Sequence, residues 1–443
     1  MCTAIFMSTR KIVAGLFLSV VIFLTVACSK DDENEFTPAF SFEFTDDNHV
    51  KFTNKSEGEY YSLFWDFGNG DTLSTTDKNR TVEVYYPLAG NYPVTLTLYN
   101  YTGQRRSASQ TVSVAKDDLV VGFSVVVDPA DPNYVLLKNT STGSFNSLKW
   151  VYRNREVQNV NELRAYFPIQ GNYKVTLFVT KGTNTFSLEK TVSITRDDPD
   201  YAARLTLIWQ DEFDGTSVNA NNWTFETGAT GWGNNELQNY TNGNNASVAG
   251  GKLTITARKV DENKLPGSYT SARMITMNKK EFLYGRIEIR AKLPSGTGIW
   301  PAIWMLGSNF KTAGWPACGE IDIMEYVGYQ PNTVHATIHT PSGYGGSGSG
   351  TSVPLATCEE EFHNYGIIWN EKYIRFYIDD PANVIYTYAP VVKNSANWPF
   401  DQPFFLILNV AVGGNWGGAN GIDNSIFPQS MEVDYVRVYQ EPA

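Results

Sequence analysis

The chain has 443 residues, more than one hydrophobic core accommodates, so two to four domains are expected. A net charge of −11 without a basic patch argues against nucleic acid as a partner and repels strongly anionic glycans in general. Aromatics at 14% against 18% charged residues suit a folded, β-rich, carbohydrate-facing protein, and nine of the 11 tryptophans follow residue 200, which marks the C-terminal part as the ligand-handling one.

Residues 1–28 read as a targeting segment. Arg10 and Lys11 precede an apolar run, Ile12–Ala27, that ends at Cys28. The run is shorter than the ~20 residues that span a bilayer and suits a signal peptide; an uncleaved anchor helix is the alternative. The ending Thr25-Val26-Ala27-Cys28 resembles a bacterial lipoprotein box, with Thr25 departing from the usual first position. That likeness implies a lipid on Cys28. In the acidic linker 29–38, Lys30-Asp31-Asp32-Glu33 is similar to surface-export signals of Bacteroidetes lipoproteins. Together they imply a lipid-anchored protein of the bacterial outer membrane, exposed at the cell surface.

Over 39–116, short alternating runs separated by turn residues predict strands at Phe40–Phe44, Val50–Thr53, Tyr60–Phe67, Thr81–Tyr86, Tyr92–Tyr99 and Gln110–Val114. Such spacing suggests a β-sandwich. Phe64-Trp65-Asp66-Phe67-Gly68-Asn69-Gly70-Asp71 and Gly90-Asn91-Tyr92-Pro93-Val94-Thr95-Leu96 resemble a polycystic-kidney-disease-type (PKD) module, which is Ig-like. Residues 119–196 repeat the pattern in degenerate form, with Leu148-Lys149-Trp150-Val151-Tyr152 and Gly171-Asn172-Tyr173-Lys174-Val175-Thr176-Leu177. A period of about 80 residues is too long for a solenoid, so these are tandem domains. They read as spacers, with glycan binding as the alternative; the second copy lacks the Gly-Asn-Gly-Asp turn.

Asp197-Asp198-Pro199-Asp200 is a polar break before a third domain, 204–441. Strands are predicted there at Leu253–Ala257, Arg286–Ala291, His335–His339, Tyr365–Trp369, Ile374–Ile378, Phe404–Val412 and Val433–Tyr439, without long helical periodicity. Ser342–Thr351, rich in Gly and Ser, is expected as a mobile loop at a cleft edge.

Between these strands lies Glu320-Ile321-Asp322-Ile323-Met324-Glu325, three carboxylates in a stretch that otherwise reads as buried. Carboxylates are rarely buried unless paired or used. Glu320 and Asp322 share a strand face by alternation, and a β-bulge at about Ile323–Met324 returns Glu325 to it. Glycoside hydrolysis with retention needs two carboxylates roughly 5 Å apart, one as nucleophile and one as acid and then base. Bulge compression and the inward lean of two long side chains bring such a pair together, and Asp322 keeps their protonation states apart. By itself the run also fits a solvated edge strand or a calcium loop.

The flanking sequence resembles glycoside hydrolase family 16, the laminarinase and endo-β-glucanase group. The blocks are Trp209-Gln210-Asp211-Glu212-Phe213-Asp214-Gly215; Gly231-Trp232-Gly233-Asn234-Asn235-Glu236-Leu237-Gln238-Asn239-Tyr240-Thr241; Tyr284-Gly285-Arg286-Ile287-Glu288; Gly298-Ile299-Trp300-Pro301-Ala302-Ile303-Trp304-Met305-Leu306; the acid run; and Val433-Asp434-Tyr435-Val436-Arg437-Val438-Tyr439. The resemblance implies an all-β chain: a C-terminal, concanavalin A-like β-jelly-roll sandwich after two Ig-like β-sandwich domains. It implies Glu320 as nucleophile, Asp322 as its electrostatic partner and Glu325 as acid/base. It further implies cleft walls at Trp300, Trp304 and Trp315, with core packing as the alternative for the tryptophans. Hydroxyl donors are implied at Asn235 and Arg273, and His339 near the nucleophile. Trp232, Trp416 and Asn409 are further substrate candidates.

The implied activity is double displacement within a polysaccharide, with laminarin-type β-1,3-glucan as first substrate. Mixed-linkage glucan, an endo-β-1,4-galactosidase on host O-glycan or keratan-type chains, and a non-catalytic glycan-binding lipoprotein are the alternatives. No cofactor is expected for catalysis and the protein is read as a monomer. Many family members carry a structural calcium, and the resemblance implies Glu212, Gly251 and Asp434 as its positions here. His335 and His339 share a strand face but lack a third ligand at suggestive spacing, and His363 is read as structural. Cys318 and Cys358 are left to pair or remain thiols.

Overall fold

The computed structural model describes residues 36–442; the targeting segment 1–28 with Cys28, and most of the 29–38 linker, lie outside them. Strands dominate what is described, with two four-residue helices, Tyr201–Arg204 and Phe310–Ala313. No helix among the described residues is long and apolar enough to cross a membrane.

In the first module, one sheet joins Phe40–Phe44, His49–Asn54 and Val82–Tyr85, and the other runs Thr72–Thr75, Ser62–Asp66, Gly90–Tyr99, Arg105–Val114. Alternating apolar residues from both close on Trp65, with Phe52, Phe67 and Tyr86 buried around it. Thr72–Thr75 was not expected as a strand, because its polar Thr-Leu-Ser-Thr gives no apolar period. The Gly-Asn-Gly-Asp turn satisfies itself: Asn69 donates to Asp71 and to the Tyr85 carbonyl, and accepts from the Asp71 amide. The second module repeats the order of the larger sheet, as Arg155–Gln158, Ser147–Tyr152, Gly171–Lys181, Asn184–Ile194, and Trp150 is buried where its repeat has Trp65.

Compactness divides the chain differently from the repeat. One unit takes residues up to Val126, Leu136–Arg164 and Tyr173–Val192; the other takes Val127–Val135, Ala165–Asn172 and Ser193–Ala443. The break expected at Asp197–Asp200 therefore falls inside the second unit. The cause is packing: Ile169, Tyr201 and Leu205 share a buried apolar cluster with Ile368, Tyr373 and Tyr377, and Asp197 pairs with Arg375 at 3.0 Å.

The second unit carries two large sheets around one apolar core. One sheet is built on Gln429–Gln440, which lies between Lys252–Lys259 and Gly285–Lys292; beyond the latter come His363–Trp369, Ile374–Ile378 and Val384–Tyr388. The other holds the acid run. Its strands are β1 (Thr224–Glu226), β2 (Arg273–Ile275), β3 (Ile299–Gly307), β4 (Glu320–Tyr326), β5 (Thr333–His339), β6 (Ser349–Pro354) and β7 (Phe404–Val412), with Glu281–Phe282 also paired on β7. Their spatial order is β1-β2-β7-β3-β4-β5-β6. All nine residues of β7 are buried, as befits a strand covered on both faces. The far end of the expected Ser342–Thr351 loop is strand, since Ser349–Thr351 open β6 and pair with β5.

Cys318 and Cys358 are both buried free thiols that sit in different apolar clusters, Cys318 with Leu306 and Phe405 and Cys358 in the main core. The disulfide left open by the sequence is therefore absent.

At the bulge, Ile323 and Met324 are both buried, at 3% and 1% exposure. Met324→Ala should lower stability by about 2–5 kcal/mol through the cavity it leaves, read as an earlier denaturant midpoint of the domain that contains it.

Candidate active site

Pairing sets the acid positions. Against β3, Glu325 faces Ala302, Met324 faces Ile303 and Asp322 faces Trp304, so one residue of β4 is extra at Ile323. Against β5, Glu320 faces His339, Asp322 faces Thr337 and Glu325 faces His335. The bulge thus sends two consecutive side chains to the core and brings Glu325 back to the face of Glu320 and Asp322. All three acids line one open groove of about 1060 Å³.

Each glutamate has its own indole donor. Trp300 Nε1 donates to Glu325 Oε1 at 3.1 Å, and Trp315 Nε1 donates to Glu320 Oε2 at 2.9 Å. Asp322 lies beneath them at 3% exposure. His339 Nε2 stands 3.2 Å from Asp322 Oδ2 and 3.7 Å from Glu320 Oε1. The shorter contact lacks hydrogen-bond alignment, and Asp322 Oδ2 and His339 Nδ1 both stay without such a bond.

Burial pushes all three carboxyls toward the neutral form. Glu325 is raised well above the ordinary carboxylate range by desolvation, to which both Asp322 and Glu320 add like-charge repulsion. Burial, and after it the Asp322 charge, push Glu320 up to about 8, with His339, the Trp315 N–H and Arg273 working the other way. Burial and like charge thus favour a protonated Glu325, the state that an acid beside a nucleophile requires.

The family model for glycosyl hydrolases family 16 matches residues 233–437, and that for the PKD domain matches residues 41–114. A beta-glucanase of Rhodothermus marinus is 46% identical over 255 residues, covering 55% of this chain and 88% of that protein. The chain belongs to glycosyl hydrolases family 16. A crystal structure of a laminarinase from Flavobacterium sp. UMI-01 shares 48% identity at a TM-score of 0.50, over 53% of this chain and all of that one. A keratan-sulfate endo-1,4-beta-galactosidase of Sphingobacterium multivorum is 39% identical over 243 residues, where this chain spans 55% of that protein. As a family-16 member the protein is a glycoside hydrolase, and its fold is all-β with a jelly-roll domain.

Most residues expected in the family-16 cleft line the groove: Trp232, Arg273, Trp300, Trp304, Trp315, His339, Asn409 and Trp416. Trp300 packs edge-on to Trp416 at 5.5 Å, and His335 meets Trp416 at 4.8 Å. Trp304 donates to Asn409 at 2.7 Å rather than serving only as core. The Arg273 guanidinium lies 5.0 Å from the Trp232 ring and 4.7 Å from the Trp304 ring, with Nε donating to Glu226 at 2.6 Å. His363 is held by Thr357 and Asp379, as expected of a structural histidine.

Asn235 is the exception. It is not part of the groove lining; its Nδ2 donates to Asn415 at 2.9 Å. The turn bends through positive φ at Trp232 and Asn235, and this turns Asn235 aside while Asn234 and Glu236 border the groove instead. Sequence reasoning missed Glu236. The available signal was alternation, since Glu236, Gln238 and Tyr240 are spaced by two and share one hydrogen-bonded network.

The residues matched to a family calcium have other partners. Arg437 donates to both Glu212 oxygens, at 2.7 and 2.8 Å, and Arg290 donates to Asp434 at 2.9 Å. Gly251 takes a positive φ of 72°. Each carboxylate still has lone pairs beyond these bonds, so oxygen donors of the kind calcium uses remain. Among the described residues, the cluster of three close His, Asp or Glu side chains suited to a metal is Glu320, Asp322 and His339.

Proposed function

We propose that this chain is a retaining endo-β-1,3-glucanase acting on laminarin-type glucan. One observation carries the mechanism: two glutamates on the same face of β4, each with its own indole donor, share an open groove with a buried aspartate between them. Glu320 attacks the anomeric carbon, and the bond from that carbon to the leaving oxygen breaks as Glu325 delivers its proton. A glycosyl ester on Glu320 results. Glu325, now ionised, takes a proton from water, whose oxygen attacks the same carbon and releases Glu320. Asp322 lies beside Glu320 in the groove, and its like charge raises the cost of ionising Glu320 in the free enzyme, while Trp232, Trp300, Trp304 and Trp416 offer flat apolar faces to sugar rings.

The substrate class is supported by the relatives named above and by charge. The groove borders on Glu236, Glu320, Asp322 and Glu325, against one cation, Arg273, that is already paired. Such a surface favours a neutral glucan over a sulfated chain. The galactosidase relative supports a second reading, endo-β-1,4-galactosidase action on a neutral or weakly anionic chain. We further infer, from the sequence of residues 1–33, that the enzyme is anchored through Cys28 at the outer membrane surface, and we propose that it acts as a monomer. The PKD-type modules then hold it away from the lipid. A structural Ca²⁺ held by Glu212, Gly251 and Asp434 is part of the same proposal.

Glu320→Gln should abolish sugar release from laminarin while laminari-oligosaccharide binding persists; wild-type inactivity on laminarin would reject the substrate. The active enzyme needs Glu325 protonated, so activity falls as pH rises through its pKa, which burial sets above the ordinary carboxylate range. Trp300→Phe removes an N–H that favours the ionised form, so the basic limb of kcat/KM should move to higher pH. Chelation of calcium should lower Tm by a few degrees, on the order of 1 kcal/mol, and added CaCl2 should restore it.

A further inference from the structure

A buried carboxylate in the groove wall takes no part in the steps above. Glu236 is 5% exposed and borders the same groove. Gln238 Nε2 donates to its Oε2 at 2.6 Å, Asn234 Nδ2 donates to Oε1 at 3.2 Å, and the Tyr240 hydroxyl donates to Oε2 at 3.4 Å. All three donors are neutral. Arg273 is the cation that acts on Glu236 electrostatically, yet its Nε is bound to Glu226. A carboxylate held this way retains capacity for a further donor, and burial makes that vacancy costly.

The backbone opposite is shaped around it. Gly413 forms a bridge with Glu236, and a Cβ on Gly414 would come within 3.2 Å of the Trp300 ring and 3.3 Å of Glu236 Cγ. Glu236 and Trp300 therefore flank one backbone elbow. A network also ties Glu236 to the groove floor: Tyr240 accepts from Asn409 at 3.0 Å, and Asn409 accepts from Trp304 at 2.7 Å. Sugars present apolar ring faces ringed by hydroxyl donors. Here an aromatic face and a carboxyl acceptor stand side by side, with no hydrogen bond from Glu236 to the catalytic acids among those of the described residues.

We propose that Glu236 is a glucan-binding residue that accepts hydroxyl hydrogens from a sugar stacked on the Trp300 side of the groove. It acts in binding and leaves bond cleavage to Glu320 and Glu325. This inference rests on the glucanase reading.

The test compares laminarihexaose binding to the full chain as Glu320→Gln and as Glu320→Gln/Glu236→Gln, by titration calorimetry. A charge-assisted bond predicts a Kd at least ~10-fold weaker in the double variant. In Glu236→Gln alone, KM for laminarin should rise by a similar factor with kcat within ~2-fold. Equal affinities, or a loss confined to kcat, would overturn the proposal in favour of scaffolding for Trp304. If Glu236→Gln does not melt cooperatively, Glu236→Asp keeps the charge, and unchanged affinity on shortening the side chain would likewise overturn it. Failure of Glu320→Gln to bind laminarihexaose at all would reject the substrate reading and this inference together, whereas equal affinities reject this inference alone.

Discussion

Charge taken out of water is the constraint that organises this molecule. Three carboxyls on β4 lie in a surface poor in solvent, and each ionisation makes the next harder. Everything around them distributes protons unequally. An indole N–H is aimed at each glutamate, an imidazole stands beside Glu320 and Asp322, and apolar strands beneath prevent water from levelling the differences. Without burial the acids would titrate as ordinary surface groups and the pair would lose its asymmetry.

The geometry that permits this is a single irregularity. A regular strand would direct Glu325 into the core beside Ile321 and Ile323. The extra residue opposite Ile303 gives the core two adjacent apolar side chains and returns the carboxylate to the groove. Packing and chemistry are thus satisfied by the same distortion, which explains why the local sequence runs acid, apolar, acid, apolar, apolar, acid.

Much of this was legible in the residues. Strands whose pattern is local appeared where expected, Phe40–Phe44, Ile374–Ile378 and Phe404–Val412 with the same limits. The bulge could be read from spacing alone, because alternation allows only one remedy for an odd offset. What could not be read depends on distant partners. Asn235 leaves the groove because a turn with two left-handed residues points it at Asn415, which is 180 positions away. Glu236 looked like one more polar residue in a loop until Gly413 and Gly414 closed over it. The polar strand Thr72–Thr75 exists by pairing with Ser62–Asp66, with no apolar rhythm of its own. The packing beside the polar break at Asp197–Asp200 comes from Ile368 and Tyr377, which are encoded more than 160 residues later.

The two thiols give the folded state a chemical signature. Cys318 and Cys358 are fully shielded, and desolvation pushes both up to about 11, so almost no thiolate exists at neutral pH. An alkylating reagent or an oxidant meets neither sulfur while the sandwich is closed. Modification then proceeds only at the pace of opening, and because the two sulfurs occupy different apolar clusters, their separate labelling rates distinguish a local breath near the catalytic strand from loss of the whole domain.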